Sequence, residues 1–291
     1  MLTRIDHVMI CVPDLAKGIE VYTRLGFTVY PGGSHTGRPT HNAIAFHDED
    51  YLEILSIRDR SAVGLGSPDA SLAEYLDQGG GFRIVALQSD DLAADVAAMR
   101  GRGVDVGEIR DGGRRTVEGQ ELRWRAAFLG PRDALPVFFI QHLTPLAERK
   151  AHAMSLPRHP NGVTGVERAY IAVADVAAAA RAYARVLGVP VPKVQRGAVI
   201  KADMAVFDLG PTGLTVAQPA EPGPAAEALA RRGPGPFQVL HRTRDFDGVA
   251  RVLADHRVPD VVEGVRNTGE RALLVRPEHA AGAYIGFVGR A

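Results

Sequence analysis

The feature that most constrains the fold is a pattern that recurs four times along the chain. Each copy begins with a strand-like run, which is followed by an Asp and then by a helix with periodic apolar residues; the four are Asp14, Asp91, Asp175 and Asp245. An Asp at this place can accept hydrogen bonds from the free N–H groups of the first helical turn. Such a repeat predicts four copies of one supersecondary unit.

Short strands after each helix complete the unit. In the first copy they cover residues 28–30, 42–46 and 51–57, and similar runs follow the other helices. Each unit is therefore predicted to be a βαβββ module. A stretch with many charges, Pro and Gly, and with little apolar periodicity, separates the second module from the third. We predict an α+β chain of two domains, 1–145 and 166–291, joined by a linker at 146–165.

Composition excludes several classes of partner. Lys plus Arg total 34 and Asp plus Glu total 34, so no net charge attracts nucleic acid or an anionic membrane. No apolar run approaches the ~20 residues of a membrane-spanning helix, and residues 1–12 do not resemble a targeting segment. Cys11 is the only cysteine and is expected to be a buried apolar residue. We expect a cytoplasmic monomer or homodimer that binds a small molecule.

The tandem modules resemble the vicinal oxygen chelate superfamily, which includes glyoxalase I, the bleomycin and fosfomycin resistance proteins and the extradiol dioxygenases. The resemblance covers nearly the whole chain, and its clearest motifs are Ile5-Asp6-His7-Val8, Val12-Pro13-Asp14-Leu15 and Tyr51-Leu52-Glu53-Ile54. Residues 1 to about 150 are more similar to the subgroup called glyoxalase-like domain, in segments 33–37, 40–42, 122–125 and 136–140. The resemblance implies two half-barrel domains, each with a cleft, and leaves the reaction open.

The superfamily places metal ligands on the first and fourth strands of each module, where alternate residues face the cleft. The first-strand positions, seven residues before each capping Asp, are His7, Ile84, Arg168 and Gln238. The fourth-strand positions, aligned on Glu53, are Glu53, Gln141, Thr215 and Gly286. The resemblance thus implies a metal site of His7, Glu53 and Gln141 in the front domain, from which Ile84 departs. The back domain offers no such set and is expected to be structural.

The implied cofactor is one divalent ion, namely Zn, Ni, Mn or Fe. A third ligand would be Gln141, His35, His41 or the substrate itself. Alternatively, His7 and Glu53 form a hydrogen-bonded pair in a pocket that binds no metal.

Other polar residues are candidates for contact with the substrate. His35, His41 and Asn42 lie in a Gly-rich segment before a strand, where they could position a carbonyl or carry a proton. In 123–125 the alternation places Arg123 and Arg125 on one strand face and Trp124 on the other, and either face could line the cleft. His47 and His241 are expected at the surface.

Whether the chain is an enzyme stays open at this point. The first hypothesis is a metal-dependent isomerase or lyase for a small oxygen-bearing substrate, with Glu53 or His41 as the proton carrier. The alternative is a metal-free protein that binds or sequesters a small aromatic or antibiotic-like molecule. A third possibility is a structural or partner-binding relic whose cleft is filled by its own side chains.

Overall fold

A computed structural model describes residues 1–289. The strands in the first half of the chain are β1 (Leu2–Cys11), β2 (Tyr30–His35), β3 (Thr40–Phe46), β4 (Tyr51–Ile57), β5 (Gly81–Ser89), β6 (Arg110–Arg115), β7 (Glu121–Phe128) and β8 (Val137–His142). The strands in the second half are β9 (Val163–Ala172), β10 (Gln195–Gly197), β11 (Ala202–Leu209), β12 (Thr212–Pro219), β13 (Gly235–Thr243), β14 (Val262–Val265), β15 (Arg271–Val275) and β16 (Tyr284–Gly289). The helices are α1 (Leu15–Arg24), α2 (Pro68–Asp77), α3 (Leu92–Gly101), α4 (Leu146–Arg149), α5 (Ala151–Met154), α6 (Val176–Leu187), α7 (Pro224–Arg232) and α8 (Phe246–Asp255).

The strands form two sheets of eight. The front sheet has the order β1-β4-β3-β2-β6-β7-β8-β5 and closes into a barrel, while the back sheet stays open with the order β10-β11-β12-β9-β13-β16-β15-β14. In every module the first and fourth strands lie side by side and parallel. The predicted α+β fold of four paired βαβββ modules is confirmed. The front sheet is closed rather than half-open because β2 pairs with β6, with His35 opposite Arg114.

The repeated Asp residues act as helix N-caps, as predicted. Their carboxylates accept N–H bonds from Ala16 and Lys17, from Ala94, from Ala178 and from Gly248, in chain order. Each bond satisfies a donor that the helix itself leaves free. The same local chemistry therefore begins the first helix of every module.

Short helices cover both ends of the barrel. At one end α2, which the sequence pattern did not reveal, packs Leu72 and Leu76 against Cys11 and Leu55. At the other end α4 and α5 occupy part of the predicted linker, and His152 lies 4.8 Å from Tyr30 between ring centroids. These helices thus cover part of each end of the barrel.

The two sheets also pack against each other. Tyr22 of α1 is fully buried and donates to the Ala280 carbonyl at 3.1 Å, while Phe27 contacts Phe287. No helix in residues 1–289 is both long and apolar enough to cross a membrane.

Three histidines meet in this interface: His47 and His241, which are buried, and His159, which is partly buried. They are named here the interface histidine cluster. The His47 ring lies 5.2 Å from His159 and 5.4 Å from His241, between centroids. The expected surface positions of His47 and His241 are therefore wrong, since His47 is only 8% exposed and His241 is fully buried. His47 follows β3 and His241 lies on β13, and both face the other domain, a contact that the sequence pattern of a single strand does not reveal.

Candidate active site

The site begins at an irregularity in β1. Ile5 pairs with Leu87 and His7 with the adjacent Ala86, so Asp6 is an extra residue in a β-bulge. A bulge lets two consecutive side chains turn toward the same side. Accordingly, Asp6 Oδ1 lies 2.7 Å from His7 Nδ1. The second oxygen of Asp6 lies 2.9 Å from Nε2 of His142, at the end of β8.

Four side chains meet inside the barrel beside this bulge: His7, His35, Asn42 and Glu53, named here the barrel cluster. Nε2 of His7 lies 3.3 Å from Glu53 Oε2, and Nε2 of His35 lies 3.6 Å from Glu53 Oε1. The Asn42 amide donates to Glu53 Oε1 at 2.6 Å. The Glu53 residue is 3% exposed. A buried carboxylate is thus surrounded by three nitrogen groups from three strands.

The charges of the two carboxylates depend on these neighbours. Burial opposes ionisation of Glu53, but His7 and His35 together with the Asn42 bond lower its pKa below the ordinary value. For Asp6 burial again opposes the charge, and His142 and His7 hold the pKa far below its usual range. Both groups are therefore anionic near neutral pH, in a setting where isolated charges would be costly.

Burial has the opposite effect on the histidines. It lowers the pKa of His35 to about 4, although the charge of Glu53 acts in the other direction. Burial also lowers the pKa of His142, against the effect of Asp6. Both rings are neutral at pH 7. Each therefore has one nitrogen without a hydrogen, whose lone pair can accept a proton or bind a cation.

The walls beside the barrel cluster are apolar. Trp124 faces the interior, with its ring edge-on to His35 at 6.0 Å, and packs with Met9, Ile84 and Phe138. Met9, Ile84 and Trp124 remain partly exposed, so the interior keeps an accessible cleft. Of the two faces of β7, the structure therefore turns the one with Trp124 toward the interior, and its contact with a substrate stays a prediction.

Arg123 and Arg125 lie on the outer face of β7 and are exposed. Arg125 lies 3.6 Å from Asp111 on the neighbouring strand. Their predicted contact with a substrate in the cleft is wrong, because the alternation that turns Trp124 inward turns both arginines outward.

Gln141 does not join the barrel cluster. Its oxygen accepts from the Leu92 N–H at 3.2 Å and its nitrogen donates to the Asp90 carbonyl at 2.9 Å, so it holds the start of α3. The register pairs Met9 with Glu53 and Ala86 with Phe138, which makes Phe138 the true equivalent of Glu53. The predicted convergence of Gln141 with His7 and Glu53 is therefore wrong, and an apolar residue takes the position.

His41 is the second misplaced candidate. It precedes Asn42 on β3, and because Asn42 points at Glu53, His41 points to the outer face. It cannot carry a proton to a substrate in the cleft. The residue that sequence reasoning missed is His142, which alternates with Phe138 and Ile140 along β8 and so faces inward.

Comparison with known protein families shows which family the chain belongs to. The model of the glyoxalase-like domain family matches residues 5–187, more than half of the chain. The chain belongs to this family. Residues 164–274 also match the Glyoxalase/Bleomycin resistance protein/Dioxygenase superfamily, so both domains of this glyoxalase-like protein are members of the vicinal oxygen chelate superfamily.

Solved structures share the architecture. A hypothetical protein from Staphylococcus aureus has a TM-score of 0.66 at 12% identity, with 99% of each chain covered. A mutant of 4-hydroxymandelate synthase from Streptomyces coelicolor has a TM-score of 0.65 at 14% identity and covers 100% of this chain and 93% of its own. At such identities the likeness shows the fold alone. No curated protein matches the sequence.

The barrel cluster has the donor chemistry of a divalent-metal site. Within residues 1–289 no group of three or more His, Cys, Asp or Glu side chains is already arranged to hold a metal ion, and His7 and His35 instead contact Glu53 directly. Two imidazoles and a carboxylate nevertheless suit Zn, Ni, Mn or Fe(II). Nδ1 of each imidazole is already held, by Asp6 for His7 and by Thr40 at 3.0 Å for His35.

A fourth potential ligand group, an amide oxygen, is available beside this set. Asn42 Oδ1 is buried and has no hydrogen-bond partner in the described part of the chain. Buried polar atoms normally have a partner. A bound cation would supply one for this acceptor, which lies beside two imidazoles and a carboxylate. The residues present therefore fit the group that the superfamily implies.

The back domain differs at every equivalent position. The register pairs Tyr170 with Thr215 and Leu240 with Gly286, which matches the fourth-strand alignment made from the sequence. Arg168, at the position of His7, forms an ion pair with Asp208 at 2.9 Å. This set contains no imidazole or carboxylate, and the candidate chemistry is limited to the front barrel.

Proposed function

We propose that this glyoxalase-like protein is a divalent-metal-dependent enzyme that acts on a small oxygen-bearing substrate inside the front barrel. The supporting observation is the buried Glu53 carboxylate, which lies between the Nε2 atoms of His7 and His35. His7, His35 and Glu53 would hold the ion after small rotations away from each other, and Asn42 Oδ1 would add an oxygen. The ion would supply a Lewis acid for adjacent oxygens of the substrate.

Asp6 has two positioning tasks. One of its oxygens fixes the ring of His7, and the other accepts from Nε2 of His142. With Nε2 protonated, Nδ1 of neutral His142 carries a lone pair, and this atom is buried without a partner among the described residues. We assign to His142 Nδ1 the task of taking a proton from the substrate and returning it, in place of His41.

The walls of the cleft define the substrate class. Met9, Ile84 and Trp124 offer apolar and aromatic surface next to the polar cluster. They favour a substrate that has a carbonyl or hydroxyl pair at one end and an apolar or planar part at the other. They also exclude water from the reacting atoms. Proton transfer beside a polarised carbonyl is isomerase or lyase chemistry.

Metal content tests this proposal directly. Protein purified without a His tag should contain about one transition ion per chain, or bind one when Zn, Ni, Mn or Fe is added, and His7→Ala should abolish it. His41→Ala is the matched control, because His41 lies on the same barrel but points outward; its metal content should equal that of the wild type. Equal metal content in both variants would place the ion elsewhere.

A second candidate function follows from the contacts of Glu53. Asn42 and the two imidazoles already satisfy its oxygens, as a metal-free binding pocket would require. If the wild type contains no metal and its unfolding temperature does not change on adding any of the four ions, a protein that binds a small molecule without metal replaces the enzyme.

A further inference from the structure

A second cavity lies between the two domains, away from the barrel cluster. It encloses about 530 Å³. Its front wall comes from the start of β5 and from residues 128–137, and its back wall from the end of β9, from α6 and from residues 231–237. We call it the interdomain groove.

The groove is positively charged. Arg83, Arg231 and Arg232 line it, no Asp or Glu of the described chain does so, and none of the three arginines forms an ion pair within residues 1–289. Arg83 and Arg232 both stack on the ring of Tyr75, at 4.8 Å and 5.0 Å from its centroid. Arg83 also donates to the carbonyl and hydroxyl of Ser71. Since no carboxylate of the described chain pairs with either guanidinium, a bound anion would supply the missing opposite charge.

The groove also contains an unsatisfied hydroxyl. Tyr183 of α6 lines the groove and is 1% exposed, and its hydroxyl has no hydrogen-bond partner in the described part of the chain. Buried hydroxyls normally have a partner, so an orphan in a cavity wall indicates a group that is supplied from outside the chain.

The remaining walls are apolar. Phe128 is 47% exposed next to the groove, and Phe82, Ile171 and Val173 continue this surface inward. A large exposed aromatic residue beside an apolar cavity is typical of ligand sites. The groove therefore combines a cationic end with an apolar body.

We propose that the interdomain groove binds a small organic anion with an apolar or aromatic body. The carboxylate, sulfonate or phosphate of the ligand pairs with Arg83 and Arg232, its body lies against Phe128, and a polar atom of the body bonds the Tyr183 hydroxyl. This site is separate from the barrel cluster and shares only Ile84 with the wall of the cleft.

Anilinonaphthalene sulfonate is a suitable probe, since it combines an aromatic body with one anionic group and reports binding by fluorescence. Folded full-length protein should bind it at one site, and N-phenylnaphthylamine, which lacks the sulfonate, should bind at least about tenfold more weakly. The double variant Arg83→Gln/Arg232→Gln should lose about tenfold in affinity for the sulfonate and little for the neutral probe. Affinity should also fall with added salt.

Arg181→Gln is the matched control, because Arg181 is exposed on α6 outside the groove. It should bind the sulfonate as the wild type does. Ala179→Phe, which fills the groove without changing its charge, should block both probes. Equal affinity of the two probes for the wild type, or an affinity for the sulfonate that neither the double variant nor Ala179→Phe alters, would overturn the proposal. Thermal unfolding of each variant excludes misfolding as the cause of a loss.

Discussion

The interface histidine cluster predicts a loss of stability in mild acid. Burial, together with the smaller effect of neighbouring His47, lowers the pKa of His159 to about 3. Burial also lowers the pKa of His241 well below the ordinary value. The facing charges do not compensate, since Asp50 is bonded to His47 at 2.7 Å and to Arg4. The interface therefore favours the uncharged rings of His159 and His241.

The direction of the change in stability with pH follows from proton binding. In the unfolded chain a histidine has a pKa of about 6.5, whereas folded His159 stays neutral down to a pKa of about 3. Between these values the unfolded state binds the additional proton, so the free energy of unfolding falls as the pH falls. From pH 7.5 to pH 5.5 the unfolded ring passes from about one-tenth to about nine-tenths protonated, which costs about 1.3 kcal/mol for His159 alone.

His159→Asn isolates this contribution. Nδ1 of His159 accepts from the Thr28 N–H at 2.9 Å, and the Asn oxygen can replace it as the acceptor while the titrating group is removed. Denaturant unfolding at pH 7.5, 6.5 and 5.5 should show that the variant loses about 1.3 kcal/mol less than the wild type over this range. Equal slopes for His159→Asn and the wild type would refute the reasoning.

Three further outcomes follow from single contacts. Asp6→Asn should weaken metal binding by about 10- to 100-fold in calorimetric titrations with Zn, because it weakens the anchor of the His7 ring; unchanged affinity would contradict this role. Gln141→Ala should lower the free energy of unfolding by about 1–2 kcal/mol through the lost contact with α3 and leave metal content unchanged. Gly33→Ala should unfold at far lower denaturant than Gly37→Ala, since a Cβ at Gly33 would lie 1.9 Å from the Arg115 carbonyl and one at Gly37 would meet nothing within 4 Å.

Local signals predicted the architecture well. The Asp caps and the strands around them specify each module within a few residues, and the count back from the cap correctly identified Ile84 as the counterpart of His7 on β5. Counting seven residues back from the Asp succeeded because the first strand and the helix are joined by a turn of the same length in each copy. His7 and Glu53 were paired for the same reason, as neighbours on parallel strands of one module.

Predictions failed where a strand shows no alternation of apolar and polar residues, or where a contact is not local. Residues 137–140 are all apolar and all buried, so β8 has no alternation that shows which of its faces points inward. An alignment from the sequence therefore places Gln141, rather than Phe138, at the position of Glu53. His35, one of the candidate third ligands, lies near Glu53 through the pairing of β2, β3 and β4 within its own module. The closure of β2 against β6 is a pairing between two modules. His47 and His241 became buried through a contact between domains. None of these is encoded in a single strand.

The bulge at Asp6 explains why the site is asymmetric. Regular alternation would turn Asp6 away from His7 and into the apolar layer beneath the helices, where an unpaired carboxylate is costly. The extra residue turns it inward instead, and there it joins His7 of the first module to His142 of the second. The second module otherwise contributes walls, including Ile84 where a ligand is expected. One inserted residue thus connects the first module, which carries the candidate ligands, to the second module, which lines the cleft. Replacing Asp6 should remove the link between His7 and His142.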